Sequence, residues 1–243
     1  MISNYTTKNW EHQIRHFDLI EKVSKGIFLF LLTFCSTMSI QAQDTFTSVK
    51  SGNYSDPATW GTTELPTAAD DIVVSTGNTI TLDGDFTANN VIIDGKIEAS
   101  TSSFEYTVKG DLVLSTSGLF IGNYYVDYGN YGFYKGMKLT VSGSILNDGR
   151  IDLSLGETND GNGVLKLNGT LLQTISGTGR FGGVITATDN SNTRSVINQL
   201  EIDNTSTATP NIVWEFNNIR IKSILTLTNA RVDLISNKMI IGN

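Results

Sequence analysis

Cysteine and histidine are scarce in this chain of 243 residues, which contains one Cys and two His. All three (Cys35, His12 and His16) precede residue 44, so the rest of the chain contains neither type. That part can form no disulfide, no Ser-His-Asp triad, no Cys-His dyad and no zinc site with histidine ligands. Its stability must come from buried apolar groups and hydrogen bonds.

Basic residues are also in the minority. Residues 1–43 hold four basic and three acidic residues, which leaves 13 basic and 21 acidic residues, a net charge of −8, for the remainder. An acidic body without a basic stripe argues against nucleic acid as a partner.

No apolar run is long enough to span a bilayer. The run 27–34 follows Lys22 and Lys25, and small and polar residues follow it up to Gln43. We interpret residues 1–43 as an N-terminal extension and secretory signal peptide, which predicts a secreted or outer-cell-surface location. Lipidation at Cys35 is the alternative, but the bulky Phe34 stands where a small residue is expected.

From residue 72 onward, short segments alternate apolar and polar residues between Gly, Asn, Asp and Ser. This period of two predicts strands with one buried face, and therefore an all-β protein. A sandwich and a solenoid are the two candidate architectures. The apolar pairs return after six or seven residues, which favours three sides and roughly 20 residues per turn. We predict a right-handed parallel β-helix over residues 72–243.

A five-residue motif with a central Gly and an apolar residue at each end recurs at 108–112, 141–145 and 167–171. We interpret each copy as a corner of the coil. We expect Gly there because the backbone can turn with positive φ. Residues 44–71 are predicted to form an N-terminal cap, with Trp60 over the end of the core and Pro66 blocking further strand pairing. For Asp70 and Asp71, caps on backbone amides are favoured over a metal site. The other end stops on an apolar strand, so we expect a C-terminal continuation or another chain to cover it.

Residues 58–145 resemble the eight-glycine extracellular domain. The resemblance rests on Trp60, Pro66 and Asp70, on the phrases at 72–83 and 93–97, and on Gly118, Leu119, Ile121, Gly122 and 139–143. Residues 222–234 resemble coils of bacterial surface proteins exported by the type IX secretion route. The resemblance implies an extracellular β-helix and no particular reaction.

An aromatic stretch between residues 123 and 136 breaks the strand rhythm and predicts a projecting loop. Its rings could stack on sugars while Asp and Asn bond hydroxyls, or the loop could fold back and bury the rings. The candidate ligand-binding residues are Tyr124, Tyr125, Asp127, Tyr128, Asn130, Tyr131 and Tyr134.

Residues 156–163 form a Gly-rich turn in which Glu157, Asn159 and Asp160 offer oxygen ligands. These ligands would suit calcium, although an ordinary solvated turn is the favoured interpretation. Asp152 and Asp233 point outward from their strands and could form a carboxylate pair, although such residues are usually solvated. Arg150, Lys166 and Arg180 have no assigned role.

The sequence therefore predicts a non-catalytic extracellular β-solenoid with a structural, adhesive or glycan-binding role. A carbohydrate-active β-helix, a polysaccharide lyase or glycosidase, is the alternative. A polysaccharide or a cell-surface glycan is the expected partner.

Overall fold

A computed structural model describes residues 43–100, 104–127, 132–153, 163–182 and 195–242, with only the backbone for 123–127 and 132–135. The candidate signal peptide lies outside these residues. The regular secondary structure of the described part is almost wholly strand, arranged in three parallel sheets and one hairpin. The prediction of an all-β protein is confirmed.

The three sheets are named A, B and C, and their strands are numbered in chain order. Sheet A contains β1 (Thr45–Thr47), β3 (Asp71–Val74), β6 (Val91–Ile93), β9 (Leu112–Leu114), β14 (Ile145–Asn147), β17 (Gln173–Ser176), β20 (Ile212–Trp214) and β22 (Val232–Asp233). Sheet B contains β2 (Gly52–Asn53), β4 (Thr79–Leu82), β7 (Lys96–Ala99), β10 (Leu119–Ile121), β15 (Arg150–Asp152) and β18 (Arg180–Phe181). Sheet C contains β5 (Phe86–Ala88), β8 (Glu105–Val108), β13 (Lys138–Val141), β16 (Val164–Leu167), β19 (Ser195–Ile202), β21 (Ile219–Leu227) and β23 (Met239–Ile241). The hairpin pairs β11 (Asn123–Asp127) with β12 (Gly132–Gly136), and one short helix, α1, spans Pro57–Trp60.

The pairing within sheets A, B and C is parallel, and it distinguishes the two candidate architectures. Ile72 pairs with Val91, and Val91 with Leu112, so the chain returns to sheet A after 19 and then 21 residues. A sandwich would instead join neighbouring strands through antiparallel hairpins. The predicted parallel β-solenoid, with its turn of roughly 20 residues, is confirmed.

Alternate residues of every sheet fill one continuous interior. On sheet A, side chains that pair in register from coil to coil form an inward-facing column. Its members are fully buried: Ile72, Val91, Leu112, Ile145, Ile175 and Trp214. Each such side chain contributes about 1.5–3 kcal/mol by leaving water. Stacking is required for this burial, because a single coil has no interior of its own.

The N-terminal end of this interior is closed by aromatic side chains. Asp56 caps α1 by accepting a hydrogen bond from the Ala58 amide (2.9 Å). The helix carries Trp60, which is 2% exposed, meets the Tyr54 ring edge-on (5.3 Å) and donates from Nε1 to the Tyr54 carbonyl (2.9 Å). Trp60 therefore covers the core end as predicted, and the segment predicted as a cap also supplies β1 and β2.

The Gly corner repeats as predicted, but the reason given for its glycines is wrong. The three phrases connect sheet C to sheet A in successive coils, yet Gly110, Gly143 and Gly169 lack the positive φ that would require glycine. A Cβ on Gly110 would lie 2.1 Å from Asn90 Oδ1, and one on Gly143 would lie 2.4 Å from the Gly110 carbonyl. Glycine is needed because the coils approach closely there.

A second glycine column, which the sequence interpretation missed, lies at the corner between sheets A and B. It contains Gly95, Gly118, Gly149 and Gly179, and a Cβ on any of them would lie 2.1–2.3 Å from a backbone oxygen. Two glycine columns therefore set the close stacking of the coils.

A buried amide network lies beside the glycine corner at Gly143 and Gly169. Gln173, fully buried, donates from Nε2 to the carbonyls of Val141 (3.1 Å) and Gly143 (2.6 Å). Its Oε1 accepts from the Gly169 amide (2.9 Å) and from Asn204 Nδ2 (2.8 Å). All four hydrogen-bonding positions of this side chain are used, so the network is fully satisfied.

Candidate functional site

The aromatic stretch predicted as a loop is an antiparallel hairpin. Tyr124, Tyr125 and Asp127 lie on β11 and Tyr134 lies on β12, with Tyr125 opposite Tyr134. The other three candidates, Tyr128, Asn130 and Tyr131, lie outside the described residues. The hairpin brings the two strands of the aromatic stretch together, which the broken strand rhythm alone did not predict.

The base of the hairpin is held by the solenoid. Gly122 donates its N–H to the Asp152 carbonyl in the next coil (2.7 Å), and its own carbonyl accepts from the Met137 amide (2.7 Å). Met137 is 1% exposed, and a Cβ on Gly122 would lie 2.5 Å from its Cγ. The chain therefore leaves and re-enters the rod through one tightly packed point.

The long connections of three consecutive coils arise at the same place. The chain leaves sheet B after β10, β15 and β18 and returns to sheet C at β13, β16 and β19. Of these connections the structure describes the hairpin, whereas 154–162 and 183–194 lie outside the described residues. Insertions at one corner leave the stacked core uninterrupted.

The outer face of sheet B, beside this corner, carries two ion pairs. Lys96 pairs with Glu98 on β7, and Arg150 Nη2 lies 3.9 Å from Asp152 Oδ2 on β15. Leu119 and Ile121 on β10 lie between these strands, since β10 pairs in register with both β7 and β15. This face alternates charged and aliphatic rows.

The interpretation of Asp152 as a solvated residue is wrong. Alternation places it on the outer face of its strand, yet the residue is fully buried beside Arg150. Asp233 lies exposed on β22 of sheet A, several coils away. The structure does not bring these two carboxylates together as a catalytic pair. Arg180 lies next to Arg150 in register, and Lys166 lies between Thr140 and Glu201 on sheet C.

Asp70 and Asp71 bind backbone and side-chain donors, as the turn interpretation predicted. Asp70 accepts from the Thr67 amide and hydroxyl (both 2.7 Å) and from the Asp44 amide (3.0 Å). Burial raises the pKa of Asp70, but these hydrogen bonds outweigh it and hold the pKa below its ordinary value. At Asp71 burial also raises the pKa of the carboxyl group. Hydrogen bonds from Asn90, Asn89 and Gln43 outweigh it, so the pKa is lowered here as well.

The candidate calcium ligands Glu157, Asn159 and Asp160 lie outside the described residues. Within the part of the chain that the structure describes, no three His, Cys, Asp or Glu side chains converge on a point where a metal ion could bind. No helix among the described residues is both long and apolar enough to cross a bilayer.

Comparison with known proteins adds no relative. No family model, no curated protein and no solved structure matches this chain.

Proposed function

We propose that this protein is a non-catalytic, extracellular β-solenoid module of a secreted or cell-surface protein, with an adhesive role through glycan binding. The observation that carries the proposal is the tyrosine-rich hairpin, which extends from a continuous stacked core and is anchored at Gly122 and Met137. A rigid frame that holds an aromatic hairpin outside its core suits display of a binding surface.

The predicted signal peptide in residues 1–43 supports the extracellular part of the proposal. The resemblance to the eight-glycine domain and to type IX secretion cargo points to the same location. Expression of the full chain in a secreting bacterium should yield an exported product beginning near Asp44, detected by mass spectrometry. An uncleaved product retained inside the cells would contradict export, and replacing Leu31 and Leu32 by Arg should produce that result deliberately.

Glycan binding is tested by replacing Tyr125, Tyr128 and Tyr131 with Ala. We expect affinity for a polysaccharide selected from a glycan array to fall more than about tenfold, with an unchanged melting temperature. The matched control replaces Ile92 and Leu146, each 40% exposed on the outer face of sheet A, with Ala. The control should bind as the parent does.

Two outcomes would overturn the proposal. The first is that the parent binds no glycan and the tyrosine variant is less stable than the parent. That result would show that the rings serve packing. Release of reducing ends or unsaturated sugars from a bound polysaccharide would show the carbohydrate-active alternative instead.

A further inference from the structure

The register of the hairpin divides its residues between two faces. Successive residues of a strand alternate between the faces of a ribbon, and residues paired directly across the strands share a face. Tyr125 pairs with Tyr134, and the face that they share, which we call the tyrosine face, contains Asn123, Tyr125, Asp127, Gly132, Tyr134 and Gly136. The opposite face contains Tyr124, Val126, Phe133 and Lys135.

The two faces differ in chemistry. On the tyrosine face, a directly paired couple of tyrosines lies between Asn123 and Asp127, and each of these polar residues is opposite a glycine. On the other face, Val126 is paired with Phe133. Sugar sites combine aromatic rings with a few hydrogen-bonding groups and need room beside the rings. The tyrosine face has this combination and the opposite face does not.

The base of the tyrosine face lies against the main chain of the next coil. A Cβ on Gly136 would be 2.3 Å from the Gly163 amide nitrogen and 2.4 Å from the Leu153 carbonyl oxygen. The tyrosine pair is two residues further from the base, which is about 7 Å along a strand. The solenoid therefore fixes the foot of this face and sets the height at which Tyr125 and Tyr134 lie.

We propose that the tyrosine face binds an uncharged polysaccharide, an inference that rests on the glycan-binding function proposed above. The rings of Tyr125 and Tyr134 would contact the apolar face of one sugar unit, because directly paired residues have Cβ atoms only about 5 Å apart. Asn123 and Asp127 would bind the hydroxyls of the flanking units.

The preference for an uncharged ligand follows from the charge of the protein. Among the ten residues of the two hairpin strands, Asp127 is the one charged residue on the tyrosine face, and Lys135 belongs to the opposite face. Residues 44–243 as a whole hold 13 basic and 21 acidic residues. A polysaccharide with carboxylate or sulfate groups would be repelled both locally and at long range.

The test compares single tyrosines on the two faces of the full chain. Tyr125→Ala and Tyr134→Ala change the tyrosine face, and Tyr124→Ala is the matched control on the same strand as Tyr125. The probes are a soluble neutral β-glucan, a neutral mannan and polygalacturonate, with affinities measured by calorimetry. We expect a neutral probe to bind at least about tenfold more tightly than polygalacturonate. Affinity for that probe should fall at least about tenfold in the two tyrosine-face variants and stay within about twofold in the control.

Tyr125→Phe separates a role of the ring in binding from a failure of the hairpin to form. It keeps the ring and the cross-strand pair, so its affinity should stay within about threefold of the parent. A loss as large as that of Tyr125→Ala would overturn the role given to the ring.

Two further outcomes would overturn this inference while leaving glycan binding by the protein in place. One is an equal loss of affinity in Tyr124→Ala and Tyr125→Ala, and the other is tighter binding of polygalacturonate than of either neutral probe. A parent chain that binds no member of a glycan array would instead contradict the proposed function itself, and this inference with it.

Discussion

Gly149 lies against Gly118 of the preceding coil, so closely that a Cβ on Gly149 would be 2.1 Å from the Gly118 carbonyl oxygen. The Arg150 amide donates to the same carbonyl (3.0 Å), so the backbone cannot move away without losing a hydrogen bond between coils. The corner between sheets A and B is therefore built from backbone contacts that exclude any side chain.

Gly149→Ala should lower the free energy of unfolding by about 1–3 kcal/mol, because the methyl group must separate two coils. The matched control is Gly84→Ala, where the nearest atom to the new Cβ would be Phe86 Cζ at an ordinary 3.4 Å. That variant should stay within about 0.5 kcal/mol of the parent in urea unfolding. Equal destabilisation by both substitutions would show that close approach is not what requires glycine.

Gln173→Leu should destabilise the chain by about 2 kcal/mol or more, because it removes the Gln173 donor from the Gly143 carbonyl and the Gln173 acceptor from the Gly169 amide in a buried site. Gln173→Glu keeps the shape and adds a pH test. A carboxylate beside the Val141 and Gly143 carbonyls is disfavoured, which raises its pKa in the folded state. The Gln173→Glu variant should therefore be closest to the parent below about pH 4, and its deficit should grow as the pH rises. A deficit that does not vary with pH would contradict this role.

The lowered pKa of Asp70 predicts that the folded state loses stability in acid. Its pKa is lowered in the folded state, so its contribution is present above the ordinary carboxyl pKa and is lost as the pH falls through the folded value. Asp70→Asn should be less stable than the parent at pH 7, and the difference should shrink below about pH 4. Urea midpoints measured from pH 2 to pH 7 check this. A constant difference across that range would mean that Asp70 acts through packing alone.

The burial of the Tyr54 and Tyr106 hydroxyls predicts that the folded state loses stability in alkali. Their rings meet edge-on at 6.0 Å in the core, and neither hydroxyl has a hydrogen-bond partner of normal geometry among the described residues. Burial raises the pKa of both phenols. Above about pH 10 the unfolded chain releases protons that the folded chain keeps, so stability falls as the pH rises.

Tyr106→Phe should remove part of this alkaline loss and leave stability at pH 7 unchanged or higher, because an unpaired buried hydroxyl is lost. Thermal unfolding between pH 7 and pH 11, followed together with tyrosinate absorbance, measures both effects. Lower stability at pH 7 would show that the Tyr106 hydroxyl makes a favourable interaction.

The strand pattern was predictable where burial alternates strictly. Thr79–Leu82 and Leu112–Leu114 follow a period of two, and the spacing of six or seven residues between sides matches the passage from sheet A to sheet B. The hairpin at Asn123–Asp127 and Gly132–Gly136 was not predictable in that way, because its pairing is local and antiparallel. Its candidate role as a glycan site stays a prediction.

Composition and alternation alone determined that this chain is all-β, free of cysteine and histidine chemistry after residue 43, and wound into coils. These properties depend on residue type and on spacing along the chain. Only the tertiary structure decided why the corner glycines are required, that Asp152 is enclosed, and that Leu227 and Ile241 stand exposed. Each of these depends on which coil lies next to which. Residues that pair between coils lie from 19 (Ile72 and Val91) to 39 (Ile175 and Trp214) positions apart, so spacing along the chain does not identify the partners.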